Sequence, residues 1–403
     1  MRRQFSERAS FVVAAAVVAH TLWTSTAPSM TYPVYAEQWQ LSTYITTVIF
    51  AVYPVTVVIV MVVFGNLSDQ IGRRRAMLYG VTASAAGVLL FAVAGNVTEL
   101  LVGRVLMGVG VGLSAGPSAA ALVDFAGDGK ASEASTTTIV AQAFGFAAAL
   151  LIGGTFTEYL PYPTRLSFVL LFVLLLGLLA AVWLIPEPAG EAPTSKWQPS
   201  LPHVPADIRV AFAYAALAVM TAYSHGVIIG SIGSQIASKL VESRNAFVNG
   251  VALALFPIAL GAAGLVVRGW PATRAIAMGA SASIAGSVLL IVAVERHGLA
   301  SFVLATTVSG VGYALMVYGG IAVVAASTQK QVRGGVMSAT LLFAYLCSGA
   351  LALLSGRIAS TLSMTAAALT ASAIMVVLCL SVIGWTITRP PKNQSTADAL
   401  SPR

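Results

Sequence analysis

The sequence predicts an all-α membrane protein that crosses the bilayer twelve times. Of its 403 residues 58% are apolar and only 9% are charged, whereas about a quarter of the residues in a soluble domain are charged. The mean hydropathy is +0.87. Twelve apolar runs are present, and each is long enough, at roughly twenty residues, to span a hydrocarbon core as a helix. These observations exclude an ordinary soluble domain.

The twelve runs fall into two groups of six. They lie near residues 10–30, 43–64, 76–94, 99–123, 136–157 and 166–185, and then near 209–235, 246–267, 275–294, 300–326, 335–356 and 365–387. The interval between the groups, 187–206, is rich in Pro, Glu, Ser and Thr and has no apolar period, so it is predicted to be a cytoplasmic linker. The sequence thus predicts one six-helix half at 1–186, a second at 207–388 and a polar cytoplasmic tail at 389–403.

Basic residues give the orientation of the predicted helices. The segments on the side of the N-terminus hold sixteen Lys and Arg residues, and the segments on the opposite side hold five. Because Lys and Arg are enriched in cytoplasmic loops, both termini are predicted to be cytoplasmic. The net charge of +8 is spread in small clusters between the runs, which is typical of membrane topology and not of a nucleic-acid-binding face.

The two halves of the sequence repeat each other. A shift of 199 residues superposes Gly65 on Gly264 and Arg75 on Arg274. Four further positions, Ala76, Gly80, Ser84 and Gly87, then fall on identical residues, and a shift of 202 superposes Gly108 and Gly110 on Gly310 and Gly312. The repeat predicts that the halves are pseudo-symmetric.

One polar stretch after the second run has an unusual pattern. From Gly65 to Arg75 it reads GNLSDQIGRRR. A glycine at position 65 permits the close approach of two helices, and Gly72 can adopt the left-handed conformation of a tight turn. The arginines at 73 to 75 favour the cytoplasmic side. The alternative is a solvated basic loop that only obeys topology rules.

This stretch carries a resemblance to a known family. Gly65, Leu67, Asp69, Gly72, Arg73 and Arg74 match, in type and spacing, the loop between the second and third helices that marks the major facilitator superfamily. The resemblance implies two six-helix halves with the substrate path between them at mid-membrane. The second half has Arg268 and Pro271 in place of Asp69 and Gly72, so only the first half keeps the signature.

The resemblance also implies a conformational gate, to which Gly65, Gly72 and Arg74 are assigned as loop residues. In the family, the acidic residue of this loop, the arginine four positions later and an acidic residue that ends the fourth helix form a charge cluster. Asp69, Arg73 and Asp124 fit that pattern. We therefore expect a cytoplasmic latch that holds the outward-open state.

Arg104 lies inside the fourth run, where an arginine costs about 3 kcal/mol on insertion scales. It begins the stretch RVLMGVGVG, which resembles the fourth-helix motif of the family, where the arginine faces the cavity. On that resemblance we expect Arg104 in the substrate pathway, needed for turnover and not for folding. The alternative is that Arg104 snorkels toward the outer surface and pairs with Glu99.

His20 in the first run and His225 in the seventh occupy equivalent places in the two halves. Thr24 lies one turn from His20, and a threonine lies one turn from His225, so each histidine is on a polar stripe. In the family these two helices face the cavity, so we expect both histidines to line it and at least one to set the pH dependence of transport. Thr24, Ser25 and Gln142 are expected to line the same cavity. The alternative is a structural ring bonded to a backbone carbonyl.

Two departures from the family concern proton coupling. No Asp or Glu lies in the middle of a run, whereas many proton-coupled exporters of the family carry a membrane carboxylate. The antiporter motif of the fifth helix keeps Gly145, Gly153 and Gly154 but lacks its Gly-Pro pair. Coupling would therefore use the histidines, Asp124 or a carboxylate nearer the surface.

The sequence thus predicts a secondary active transporter similar to the drug and metabolite exporters of the family. It is expected to export a small, mostly apolar compound across the plasma membrane by proton antiport, and the membrane is expected to be a bacterial inner membrane. Proton-coupled uptake of a small organic anion, facilitated diffusion and a non-transporting sensor on the same fold are the alternatives. Motifs of soluble enzymes are missing, so no enzyme activity, cofactor or metal site is predicted. The expected partners are the substrate, protons and the lipid bilayer, with no nucleic acid, and the chain is expected to be a monomer.

Overall fold

Twelve long helices make up the computed structural model, which describes residues 5–64, 67–127, 131–187, 204–239, 241–328 and 333–388. In chain order they are α1 Glu7–Thr26, α2 Thr43–Phe64, α3 Arg73–Val93, α4 Val97–Ala126, α5 Ala131–Tyr159, α6 Leu166–Leu184, α7 Arg209–Lys239, α8 Ala246–Val266, α9 Ala272–Arg296, α10 Leu299–Ser327, α11 Arg333–Thr361 and α12 Met364–Thr388. Within these ranges, twelve helical segments are long and apolar enough to cross a membrane. The predicted all-α fold with twelve spanning helices is confirmed. Most of the predicted linker, 188–203, and the tail from 389 onward lie outside the described residues.

The first span extends beyond its predicted end. α1 leaves the α conformation at Ala27 and continues as a 3-10 turn, Ala27–Met30, because Pro28 lacks the N–H that the next turn of an α-helix needs. A short helix, Tyr32–Gln38, then completes the span. Its sequence, YPVYAEQ, is partly polar, which is why the apolar run ends near residue 30 although the helical chain does not.

Small residues bring α3 and α4 together, and the same arrangement recurs between α9 and α10. A Cβ on Gly80 would lie 2.6 Å from the carbonyl oxygen of Gly110, and a Cβ on Gly279 would lie 2.9 Å from that of Gly312. Only residues without side chains allow the two backbones to approach so closely. The repeat in the sequence is therefore also a repeat of helix contacts.

Two helix pairs join the first six helices to the last six: α5 packs along α8, and α2 packs along α11. Because consecutive helices run in opposite directions, their connections alternate between the two ends of the bundle. We call these the α1–α2 end and the α2–α3 end, after the first connection that each one holds.

Candidate functional site

A cavity of about 110 Å³ lies at the centre of the bundle, between the first six helices and the last six. Residues of α1, α2, α4 and α5 line one side, and residues of α7, α10 and α11 line the other. The lining consists of Thr21, Leu22, Ser25, Thr26, Phe50, Tyr53, Pro54, Val111, Ala115, Gln142, Phe146, Tyr223, Gly226, Val227, Gly230, Tyr313, Tyr345 and Ser348. The cavity is smaller than the roughly 300–1,000 Å³ of most ligand pockets, so most ligands need a wider conformation than this one.

Aromatic rings form the wall of the cavity on the side of the last six helices. The ring centroid of Tyr223 lies 5.6 Å from that of Tyr313 and 5.2 Å from that of Tyr345. The Tyr313 ring in turn lies edge-on to Phe256, with centroids 5.6 Å apart. These separations are typical of favourable aromatic pairs. The rings therefore hold one another in place and present a preformed apolar surface to the cavity.

Two of the uncharged residues expected at this site, Ser25 and Gln142, do line the cavity. Thr24 does not, although it is fully buried, and its hydroxyl has no hydrogen-bond partner. Sequence reasoning missed Tyr53 and Tyr345, since a tyrosine in an apolar run gives no sign of the direction in which it points. Not every tyrosine of the last six helices faces the cavity: the Tyr318 hydroxyl accepts a hydrogen bond from the Gly269 N–H at 3.1 Å, outside the cavity.

Both histidines are buried, but neither lines the cavity, contrary to expectation. His20 Nδ1 contacts the carbonyl oxygen of Val17, and its Nε2 lies 3.3 Å from Ser84 Oγ on α3. His225 is 2% exposed, and its Nδ1 has no hydrogen-bond partner. The polar stripe on α1 that includes His20 and Thr24 thus points into the first six helices and not toward the last six. For His20 the contacts match the alternative of a structural histidine.

Arg104 is fully buried and donates to three backbone carbonyl oxygens. Its Nη1 donates to Ser25 at 2.9 Å, its Nε to Ile49 at 3.3 Å and its Nη2 to Phe50 at 3.3 Å. Arg104 is therefore neither unpartnered nor paired with Glu99, whose carboxylate instead accepts a hydrogen bond from the Gly95 N–H at 2.6 Å. The expectation that Arg104 snorkels toward Glu99 is wrong.

Irregular hydrogen bonding in two helices supplies two of the three acceptors for Arg104, those of Phe50 and Ser25. Pro54 has no N–H, so the carbonyl of Phe50, four residues earlier, lacks its intrahelical donor. Ser25 lies just before the 3-10 turn at which α1 changes its hydrogen-bond pattern. The guanidinium also lies 4.6 Å from the ring centroid of Tyr53, which lines the cavity. Arg104 thus lies behind Tyr53 and does not line the cavity. The expectation that it faces the cavity is not met.

Hydrogen bonds between uncharged groups close the α1–α2 end of the bundle. Ser29 Oγ donates to the Gly230 carbonyl, and Ser234 Oγ donates to the Ser29 carbonyl, both at 2.7 Å. Gly230 lines the central cavity, whereas Ser234 lines a cleft at the surface. We call Ser29, Gly230 and Ser234 the septum, because one turn of α7 separates the two spaces.

Further bonds at this end join α2 to the last six helices. Gln235 Nε2 donates to Thr46 Oγ1 at 3.1 Å, and Thr43 Oγ1 donates to Gln235 Oε1 at 3.3 Å. The Tyr44 N–H donates to Ser360 Oγ at 2.7 Å. Gln235 is fully buried, and both of its polar atoms are satisfied across the boundary between the two sets of helices.

The polar loop at the α2–α3 end is described in part. Gly65 and the side chain of Asp69 lie outside the described residues. Gly72 has φ 91° and ψ 149°, a conformation that only glycine adopts readily, and the Glu187 carboxylate lies where a Cβ would be. Glu187 Oε1 accepts from the Arg74 N–H at 3.0 Å, so a carboxylate after α6 caps the first turn of α3. Sequence reasoning missed Glu187 because it lies in the predicted linker.

Arg73 Nη1 donates to Asp124 Oδ2, which ties the start of α3 to the end of α4. Both side chains are about one-third exposed, at 32% and 34%. The pair lies within the first six helices and is formed while the α1–α2 end is closed. It therefore cannot by itself hold the two sets of helices together.

A sequence model of the Major Facilitator Superfamily matches residues 12–294. The chain belongs to the major facilitator superfamily. Solved structures with the same fold include the peptide transporter POT in complex with sulfate, with a TM-score of 0.74 at 16% identity and 94% of each chain covered. A second is the nucleoside transporter NupG, with a TM-score of 0.75 at 12% identity over 96% of this chain and 100% of that chain. A third is a bacterial homolog of the human lysosomal transporter Spinster, with a TM-score of 0.70 at 13% identity over 94% of this chain and 96% of that chain. No curated protein sequence matches the chain significantly.

As a member of the major facilitator superfamily, the protein is a membrane transporter of the secondary-transporter kind. The solved relatives are too distant in sequence to show more than the fold. The central cavity, between the first six and the last six helices, occupies the place where transporters of this type bind substrate.

Proposed function

We propose that this transporter exports a small, uncharged and mostly apolar organic compound by alternating access, in exchange for protons. The observation that carries the substrate class is the lining of the central cavity. It holds aromatic rings, Ser and Thr hydroxyls and one amide, and no Asp, Glu, Lys, Arg or His among the described residues. A charged substrate would lose its hydration there without gaining an opposite charge, whereas an apolar ring can stack on the tyrosines.

The basic residues support an orientation with both termini in the cytoplasm, in the plasma membrane and, in a bacterium, the inner membrane. In that orientation the closed α1–α2 end faces outward. The halves at 1–186 and 207–388 would then rock about the α2–α11 and α5–α8 contacts, with the chain acting as a monomer.

The direction of export rests on the resemblance of the first half to drug and metabolite exporters. Facilitated diffusion is a second candidate function, and one observation favours it. Among the described residues that line the cavity, tyrosine is the only titratable type, and its ordinary pKa is about 10. A proton that drives transport near neutral pH must therefore bind away from this lining.

Flux into and out of proteoliposomes separates these functions. Vesicles that contain the purified protein are loaded with uncharged aromatic compounds or with their carboxylate and amine analogues, with and without an imposed pH gradient. We expect the uncharged compounds to be moved, and their export to be accelerated by an opposing proton gradient. Equal flux with and without the gradient would make the protein a facilitator. Flux restricted to the charged analogues would refute the substrate class.

Tyr223 gives a test at the level of one residue. Tyr223→Leu removes the ring that contacts both Tyr313 and Tyr345, so we expect the KM for an aromatic substrate to rise about fivefold. The matched control is Tyr79→Leu, because Tyr79 is 59% exposed on α3, away from the cavity. Equal KM values for the two variants would show that the substrate does not bind against the tyrosines of the central cavity.

A further inference from the structure

A cleft of about 760 Å³ opens at the α1–α2 end, directly beyond the septum. We call it the vestibule. It lies between the short helix Tyr32–Gln38 and the end of α5 on one side and the end of α7 and the start of α8 on the other. Ser234 of the septum lines it, so the vestibule and the central cavity are successive spaces along one axis.

Charges of opposite sign face each other across the vestibule. Its side formed by the first six helices carries Glu37 and Glu158, and its side formed by the last six carries Lys239 and Arg244. All four side chains are exposed, and among the described residues none of them forms an ion pair. Glu158 Oε2 accepts from the Ala246 N–H at 2.7 Å. Two walls of opposite charge therefore flank a space open to water.

Buried polar atoms in the same cleft lack partners. Asn249 is 4% exposed and lines the vestibule, and its Oδ1 accepts no hydrogen bond, while its Nδ2 donates to the Ser243 carbonyl at 2.9 Å. The Thr157 hydroxyl, also in the lining, is buried without a partner. Buried polar groups in folded proteins almost always have partners, so the unused Asn249 acceptor and the unused Thr157 hydroxyl can pair with a ligand that carries hydrogen-bond donors.

We propose that the vestibule binds a small zwitterion, separately from the central cavity. The ammonium group lies against Glu37 and Glu158, within reach of the Asn249 acceptor, and the carboxylate lies against Lys239 and Arg244. An inorganic cation would be attracted by the acidic wall and repelled by the basic wall, and an anion would be attracted by the basic wall and repelled by the acidic wall. A zwitterion satisfies both. Because the walls belong to different sets of helices, the ligand bridges them and favours the conformation closed at the α1–α2 end.

Thermal unfolding of the purified full-length protein tests this binding without reference to transport, so failure here and failure of the proposed function are distinguishable. The probes are glycine, 4-aminobutyrate and 6-aminohexanoate, which differ in the separation of their charges, and the matched single ions butylammonium and butyrate at equal ionic strength. We expect at least one zwitterion to raise the Tm with a saturable dependence on concentration. The single ions are expected to leave the Tm unchanged.

Variants locate the site. Glu37→Gln and Arg244→Gln each remove one of the two charges on one wall of the vestibule and should weaken the binding about tenfold. Glu242→Gln is the matched control, because Glu242 is an exposed carboxylate close in sequence that does not line the vestibule, and it should leave the binding unchanged. The proposal is overturned if no zwitterion shifts the Tm, if butylammonium shifts it equally, or if Arg244→Gln and Glu242→Gln give the same response.

Discussion

Arg104 and Thr306 make the same hydrogen bond in the two sets of helices. Arg104 Nε donates to the Ile49 carbonyl at 3.3 Å, and Thr306 Oγ1 donates to the Ala252 carbonyl at 2.8 Å. The shift of 202 that relates Gly108 to Gly310 also relates Arg104 to Thr306. In the first set, a side chain of α4 thus donates to the backbone of α2, and in the second a side chain of α10 donates to the backbone of α8. Both acceptor helices contain a proline.

Replacement of Arg104 should therefore destabilise the protein. Arg104→Ala removes three hydrogen bonds from a charged donor and leaves buried carbonyls unsatisfied, so we expect the free energy of unfolding to fall by about 3 kcal/mol or more. This differs from the sequence-based expectation that Arg104 serves turnover alone. Thr306→Val is the matched control, since it removes a single neutral hydroxyl, which is shared between the Ala252 and Val303 carbonyls, and should cost about 1 kcal/mol. Thermal unfolding of both purified variants provides the comparison, and equal Tm values would contradict the assigned role.

Gln235 should hold the α1–α2 end closed. Gln235→Leu keeps the approximate volume of the side chain but removes its bonds to Thr43 and Thr46, each worth about 1 kcal/mol. We expect the population open at this end to rise about 5- to 30-fold. Distances between spin labels at the exposed residues Tyr162 and Leu362 should lengthen. Ser238→Ala removes a bond within α7 only, so the same label pair should not respond to it.

Asp69 should act at the opposite end. If it forms part of a latch with Arg73 and Asp124 that closes the α2–α3 end, Asp69→Asn should open that end. Distances between labels at Glu133 and Val210 should then lengthen in the variant. Asp207→Asn, in the 3-10 turn before α7, removes a charge near the same end and serves as the control. Unchanged distances in Asp69→Asn would contradict the hypothesis that Asp69 helps to keep the α2–α3 end closed.

Gly72 should tolerate alanine less well than Gly127 does. Both have positive φ, 91° and 81°, so each substitution strains the backbone by roughly 1–3 kcal/mol. Only at Gly72 would the new Cβ also meet the Glu187 carboxylate, whereas the space at Gly127 is open. The Tm of Gly72→Ala should therefore fall further. Adding Glu187→Ala to both variants and to the wild type should bring the two decreases in Tm closer together. If Gly72→Ala still lowered the Tm more than Gly127→Ala did, the carboxylate would be excluded as the cause.

His20 and His225 should not set the pH dependence of transport. Neither ring lines the central cavity, and His20 is engaged with Ser84. We expect a variant that carries His20→Gln and His225→Gln to keep the pH–rate profile of the wild type in vesicles. A profile that flattened or moved would restore the sequence-based hypothesis that at least one histidine sets the pH response.

The number and order of the helices could be predicted because a spanning helix needs about twenty apolar residues, and that requirement is written in the sequence. The direction in which a side chain points within the bundle is not. His20 and Thr24 share a stripe, as the helical period requires, yet the stripe of a helix buried on several sides can face its own half or the partner half. The sequence contains the period but not the rotation of the helix.

The role of Arg104 was hidden for a different reason. Its partners are three backbone carbonyls, of which Pro54 frees that of Phe50 and the change of helix type before Pro28 frees that of Ser25, and a backbone acceptor cannot be recognised from residue type. The acidic residue nearest to Arg104 in the sequence is Glu99, which is not its partner. Two prolines inside apolar runs were the available signal, since each frees a carbonyl that some donor must satisfy.

We expect the thinness of the septum to constrain the order in which the two ends of the protein open and close. Gly230 and Ser234 are four residues apart, about 6 Å along α7, which is shorter than most organic molecules of more than a few heavy atoms. We expect a substrate that crosses this barrier to contact both of its faces at the same moment, so that the barrier cannot be sealed both ahead of the molecule and behind it. Protection against leakage through the membrane would then depend on the α2–α3 end, which would have to close before the septum opens.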